Sequence, residues 1–200
     1  MIETPLPVAF LDASVLYPAL LRNMLMYFAV ADLYHARWSA RVHDEWMSAL
    51  LRNRPDIPRA QLERTRRLME AQLDDALVEG YEHRVDSVSL PDANDRHILA
   101  AAKHCEAHYI VTANLRDFPA TTLARFRLVA EHPDDFLLHL VNDNQGKAIA
   151  AFYELCDARK NPHQTPREVK EILKRQELRA TADALNAHGC RVRQEFSKPS

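Results

Sequence analysis

With three glycines in 200 residues, this chain is poor in the one residue that phosphate-cradling loops need, and it contains neither G-x-G-x-x-G nor a P-loop. A nucleotide-loop enzyme is thereby disfavoured. Its three cysteines, Cys105, Cys156 and Cys190, are too few and too widely spaced for a disulfide framework or a zinc motif. They read as buried or idle thiols of a reducing compartment. Ten histidines show no ligand spacing with cysteine and no H-E-x-x-H, so most are expected on the surface or along helices. Aromatic residues are sparse at 8%, and Trp38, Trp46 and the tyrosines are too scattered for a base-stacking platform, which leaves core packing as their expected role. No apolar run approaches a membrane span, and the first residues lack a basic segment followed by a long apolar one. A soluble, cytoplasmic protein without membrane contact is expected.

An apolar content of 47% can supply a proper core for one α/β domain plus an appendage. The net charge of −2 hides an asymmetry, because residues 1–144 carry a net −6 and residues 145–200 a net +4. Against the acidic background stands one local basic run: Arg52, Arg54, Arg59, Arg64, Arg66 and Arg67, interrupted only by Asp56 and Glu63. Such a run serves equally as a solvated helical face or as a track for a phosphate backbone.

Hydrophobic spacing outlines the fold. Residues 7–11 read as a short buried strand, followed by Leu16, Leu20, Leu21, Met24, Leu25 and Phe28 at helical intervals, with an early turn at Pro18. A strand over 36–39 leads to a helix over 41–52, and Pro55 and Pro58 break the chain before a long helix over 59–79, striped by Leu62, Met69, Leu73 and Leu77 and ended by Gly80. A strand over 81–89, a helix from Asp95 to about Cys105, strands over 109–112 and 126–129 and a helix over 134–141 complete the pattern. Strands alternating with helices predict a central, mostly parallel sheet covered on both faces, a three-layer α/β/α domain. Beyond residue 144 only helices are predicted, over 148–156, 166–174 and 177–188, the second opened by a capping box of Thr165 and Glu168 with Pro166 at its first position. Gly189 should end the last helix, before a frayed basic tail. The expected division is residues 1–144 as the sheet domain and 145–200 as a helical extension.

Four acids stand out, Asp12, Glu45, Asp95 and Asp117, three of them where a strand ends or a helix begins. In an open parallel sheet, ligands bind at the carboxyl ends of the strands, so acids scattered through the sequence meet at one edge. Clustered carboxylates repel unless a cation offsets them, and their oxygen ligands suit Mg2+ or Mn2+. Each acid also has a plain structural reading. Asp12 and Asp95 could cap helices, Asp92 or Asn94 could be the cap in place of Asp95, and Glu45 could simply favour a helix dipole, with Asp44 beside it as a rival ligand.

The pieces Phe-Leu-Asp-Ala-Ser-Val-Leu, Val-His-Asp-Glu-Trp, Pro-Asp-Ala-Asn-Asp-Arg-His-Ile-Leu-Ala-Ala-Ala and Ile-Val-Thr-Ala-Asn-Leu-Arg-Asp-Phe follow in order through the chain. In this order they resemble the PIN-domain ribonucleases, and in particular VapC-like toxins of type II toxin-antitoxin systems, over about residues 6–142. The resemblance implies a PIN-like fold and metal-dependent hydrolysis of RNA phosphodiesters. Asp12, Glu45, Asp95 and Asp117 would then be catalytic, with Asp12, Asp95 and Asp117 holding Mg2+ or Mn2+. Asp92, Thr112 and Asn114 would support them, and Ser14 would position a water or the scissile phosphate. It further implies a cognate antitoxin, a homodimer and an RNA substrate, which the arginine run from Arg52 to Arg67 could hold. Three other readings compete: a haloacid-dehalogenase-like phosphatase, which needs D-x-D-x-T where this chain has Asp-Ala-Ser-Val-Leu; a catalytically inactive RNA- or partner-binding fold; and a DNA-directed flap-type nuclease.

Overall fold

A computed structural model describes residues 5–160 and 163–195, with side chains through residue 187. Strand β1, Val8–Leu11, is apolar throughout and its last three residues are fully buried, as a strand covered on both faces must be. Two helices follow, α1 at Ala13–Leu16 and α2 at Ala19–Val30, separated where Pro18 takes extended backbone ahead of α2. Strand β2, His35–Arg37, leads into α3 at Ala40–Asn53, whose first turn is closed by Ser39 accepting from the Val42 amide. Helix α4 spans Arg59–Gln72 and α5 spans Arg96–His104. Strand β3 at Tyr109–Val111, the short α6 at Ala120–Leu123, β4 at Val129–Glu131 and α7 at Pro133–Asp143 complete the alternation. The sheet order is β2-β1-β3-β4, all parallel, with Leu11 opposite Val111. Helices on both faces make the expected three-layer α/β/α fold.

Several elements differ from the sequence reading. The long helix stops at Gln72 rather than at residue 79, because the Trp38 amide donates to Ala76 and the Val78 amide to Trp38, drawing residues 76–78 out beside β2. Gly80 therefore serves a turn, at φ 75°, and not the end of a helix. The strand expected over 81–89 is a 3-10 turn, Glu82–Ser87, packed against α5. The strand expected over 36–39 sits one residue earlier, and the last strand lies at Val129–Glu131 rather than at 126–129. His43 and His97 lie on helices, as expected of most histidines, and both are buried. Trp38 and Trp46 are core residues as expected. Cys156 is buried and Cys105 half-buried, and both are free thiols, whereas the Cys190 side chain lies outside the described residues.

The extension comprises α8 at Gln145–Ala158, α9 at Pro166–Arg175 and α10 at Arg179–Glu195. Thr165 and Glu168 form the capping box read from the sequence. Gly189 does not end the last helix, which continues to Glu195, and the tail expected beyond lies outside the described residues. Helix α8 packs on α2, and α10 packs on α7. Phe152, Leu155, Val169, Leu173, Leu178 and Leu185 belong to the same buried cluster as Phe28 and Phe136, so the extension shares the core of the sheet domain. Across this junction Asp134, in the first turn of α7, accepts hydrogen bonds from the Ala180 and Thr181 amides and from the Thr181 hydroxyl.

Candidate active site

The site is built where β1 and β3 end side by side. The Asp12 amide donates to the Val111 carbonyl at 3.1 Å, carrying the pairing one residue past β1, and the Thr112 amide does the same to Glu131 at 3.0 Å. This sets Asp12 and Thr112 at one edge, though they are 100 positions apart. Both hydroxyl neighbours donate to one oxygen of the aspartate: Ser14 Oγ to Asp12 Oδ2 at 2.6 Å and Thr112 Oγ1 to the same atom at 2.7 Å. The hydroxyls are themselves oriented by backbone donors, Ala113 N on Ser14 Oγ and Asn114 N on Thr112 Oγ1. Among the described residues no hydrogen bond to Asp12 Oδ1 accompanies these two. Asp12 precedes α1 without capping it, so the helix-cap role open in the sequence is not the one its side chain takes.

The same distinction separates Asp92 from Asp95. Asp92 accepts from the Asn94 amide at 2.8 Å and closes the 3-10 turn Ala93–Asp95, whereas Asp95 stands at the start of α5 without a capping bond. Burial, and then the negative charges of Asp12, Asp92 and Asp117, push the Asp95 carboxyl up to about 6, against a smaller opposing pull from His97. Asp95 therefore lies in the field of Asp12, Asp92 and Asp117. Asp117 is half-buried at the end of the 3-10 turn Leu115–Asp117.

Glu45 is held apart from this trio. Its Oε1 accepts from Arg41 Nε at 3.2 Å, one helical turn earlier on α3, and lies 2.9 Å from Nε2 of the buried His97. Burial pushes the Glu45 carboxyl up, but His97 and then Arg41 outweigh it and hold the group below its usual value. Asp44 turns the other way, toward Arg66 of α4 at 3.6 Å, as the 100° step between adjacent helical residues requires. Neither Arg41 nor His97 was singled out from the sequence. The i,i+4 spacing of Arg41 and Glu45 was the available signal for the first, and nothing local marks the second.

Ser14 donates to Asp12 and so orients the carboxylate, and Asn114 supports Thr112 through its backbone amide. The arginine run also divides. Arg54 pairs with Asp56, Arg59 with Glu63, and Arg66 with Glu70 and Asp44. Arg52, Arg64 and Arg67 are exposed without such partners among the described residues.

The donor chemistry at this edge, three carboxylates in an oxygen-rich cleft, fits a hard divalent cation. Among the described residues no three acid, histidine or cysteine side chains stand close enough to share one ion as they are placed. Sharing one ion would require side-chain movements that bring Asp12, Asp95 and Asp117 together.

A family model described as a PIN domain matches residues 8–116, more than half of the chain, and this chain belongs to the PIN-domain family. A second model, described as the VapC50 C-terminal domain, matches residues 133–187, which takes in α7 with the extension. A protein of Mycobacterium tuberculosis (strain ATCC 25618 / H37Rv) named "Putative ribonuclease VapC50" is 39% identical over 79 residues, 40% of this chain and 47% of that protein. The alignment thus spans about half of that relative's length. No solved structure matches. The resemblance to VapC-like PIN proteins with a C-terminal extension is borne out.

Proposed function

We propose that this chain is a divalent-metal-dependent endoribonuclease, the toxin of a toxin-antitoxin pair. The observation that carries the reading is Asp12, fixed by the Ser14 and Thr112 hydroxyls at the meeting of β1 and β3 and close enough in charge to raise Asp95. Asp12, Asp95 and Asp117 would hold Mg2+ or Mn2+, with Glu45 at the rim of the cleft. When bound, such a cation lowers the pKa of water and stabilises negative charge on the phosphoryl group. The chain's own part is orientation. Ser14 and Thr112 fix Oδ2 of Asp12 and leave Oδ1 for the cation, and Asp95, ionised above about pH 6, adds the second carboxylate. Asp92 keeps the turn before Asp95 closed.

The exposed Arg52, Arg64 and Arg67 would take the RNA backbone. Residues 1–144 would act as the nuclease unit and residues 145–200 as a helical extension, net +4, offered to RNA or to the antitoxin. Homodimers are part of the same reading. Among the described residues no helix is long and apolar enough to cross a membrane.

The test is cleavage of single-stranded RNA and DNA with Mg2+ or Mn2+, with and without chelator, by the parent and by Asp12→Asn. The asparagine oxygen can still accept from Ser14 and Thr112, so the fold should persist while chelator-sensitive RNA cleavage falls by at least about 100-fold, as expected for loss of a preorganised electrostatic group. Full activity in a folded Asp12→Asn protein would sink the assignment. DNA-only cleavage would replace the substrate class.

A further inference from the structure

We infer that Arg41 and His97 are positioning residues for Asp95, acting through Glu45, an inference that rests on the cation-site reading above. Among the described residues no hydrogen bond restrains the Asp95 side chain, so its place in the cleft depends on its backbone. That backbone is pinned on both sides from α3. Before Asp95, the Asn94 carbonyl accepts from Arg41 Nη2 at 3.3 Å, while the Asn94 amide is tied to Asp92. After it, the buried His97 meets Glu45 Oε1 at 2.9 Å. Glu45 joins the two, since the same oxygen accepts from Arg41.

Arg41 and Glu45 sit one turn apart on a helix, a rigid base from which to hold two points three residues apart in the chain. Glu45 thereby has a role that requires no bond to a cation.

The experiment titrates Mn2+ alone, without RNA, into the parent, Arg41→Ala, His97→Ala, His97→Gln and Asp95→Asn, by calorimetry. Hydrogen exchange of residues 93–97 in the metal-free proteins and thermal melting accompany it. Arg41→Ala and His97→Ala should weaken Mn2+ binding about 10–100-fold, the usual effect of removing a group that orients a ligand, and speed exchange over residues 93–97. His97→Gln, whose amide can donate to Glu45, should recover most of both. Arg41 is half-exposed, so its variant should stay folded even if loss of His97 disturbs the core. If Asp95→Asn binds Mn2+ as the parent does, the cation-site reading fails and this inference with it. If Asp95→Asn loses binding while Arg41→Ala and His97→Ala keep the parent isotherm, the inference alone is overturned, and any drop in melting temperature is mere packing.

Discussion

Replacing Asp134 by Ala should loosen the C-terminal helices while leaving the acidic cleft untouched. The Asp134 carboxylate meets Ala180 N at 2.9 Å, Thr181 N at 2.8 Å and Thr181 Oγ1 at 2.7 Å. Those amides are the second and third of α10, the donors that a helix-capping side chain satisfies, here from another helix. Loss of a cap costs about 1 kcal/mol, and leaving the amide of the fully buried Thr181 without a partner adds about 1–3 kcal/mol. Thr181 Oγ1 keeps its bond to the Asp134 carbonyl, so the hydroxyl adds little. A total of about 2–4 kcal/mol, at roughly 2–4 °C per kcal/mol for a chain of this size, lowers the melting temperature by about 5–15 °C. Asp134→Asn, which retains one acceptor but turns a donor toward the second amide, should fall between. Thermal melts with urea titration read the effect. A melting temperature for Asp134→Ala within about 1 °C of the parent would refute the trans-cap and the shared core it implies.

Asp95→Asn should show a stability crossover with pH in metal-free protein. The folded carboxyl is raised to about 6, so its contribution is present below the usual carboxylate range and lost as pH rises toward 6. The variant should therefore melt above the parent at pH 8 but not at pH 4, and equal melting at both values would remove the repulsion argument. Among the arginines, Arg64→Ala with Arg67→Ala should flatten the slope of log RNA affinity against log salt by about 1.4, at about 0.7 per phosphate on a single strand. Arg54→Ala with Arg59→Ala should change it less, because Asp56 and Glu63 already neutralise them. An equal effect of the two pairs would return the run to general electrostatics.

What could be read from the residues alone was local. The unbroken apolar run of β1, the proline before α2, and Thr165 with Glu168 each carry their structure within a few positions, and each was read correctly. The pairing of Arg59 with Glu63 and of Arg66 with Glu70 is equally legible in the i,i+4 spacing. The end of α4 was not legible, because Leu73 and Leu77 continue the helical stripe and only Trp38, far back in the chain, draws residues 76–78 into extended backbone. Residues 81–89 mislead for a similar reason, since packing against α5 accompanies a 3-10 turn there and not a strand. At the site, the position of Asp12 after a strand and of Asp95 at a helix start was legible in the residues. Partners such as His97, 52 positions from Glu45, had no local signature.

The closure of Asp12 by Thr112 also sets a clock. These two residues are 100 positions apart, and β1 waits for β3 before its central pairing exists. At about 5–20 residues per second, a ribosome needs on the order of 5–20 s to travel from one to the other. Throughout that interval Asp12 has left the peptidyl-transferase centre with Ser14 beside it but without the Thr112 hydroxyl. A half-made chain thus carries the aspartate but not the finished edge of the sheet until synthesis reaches β3.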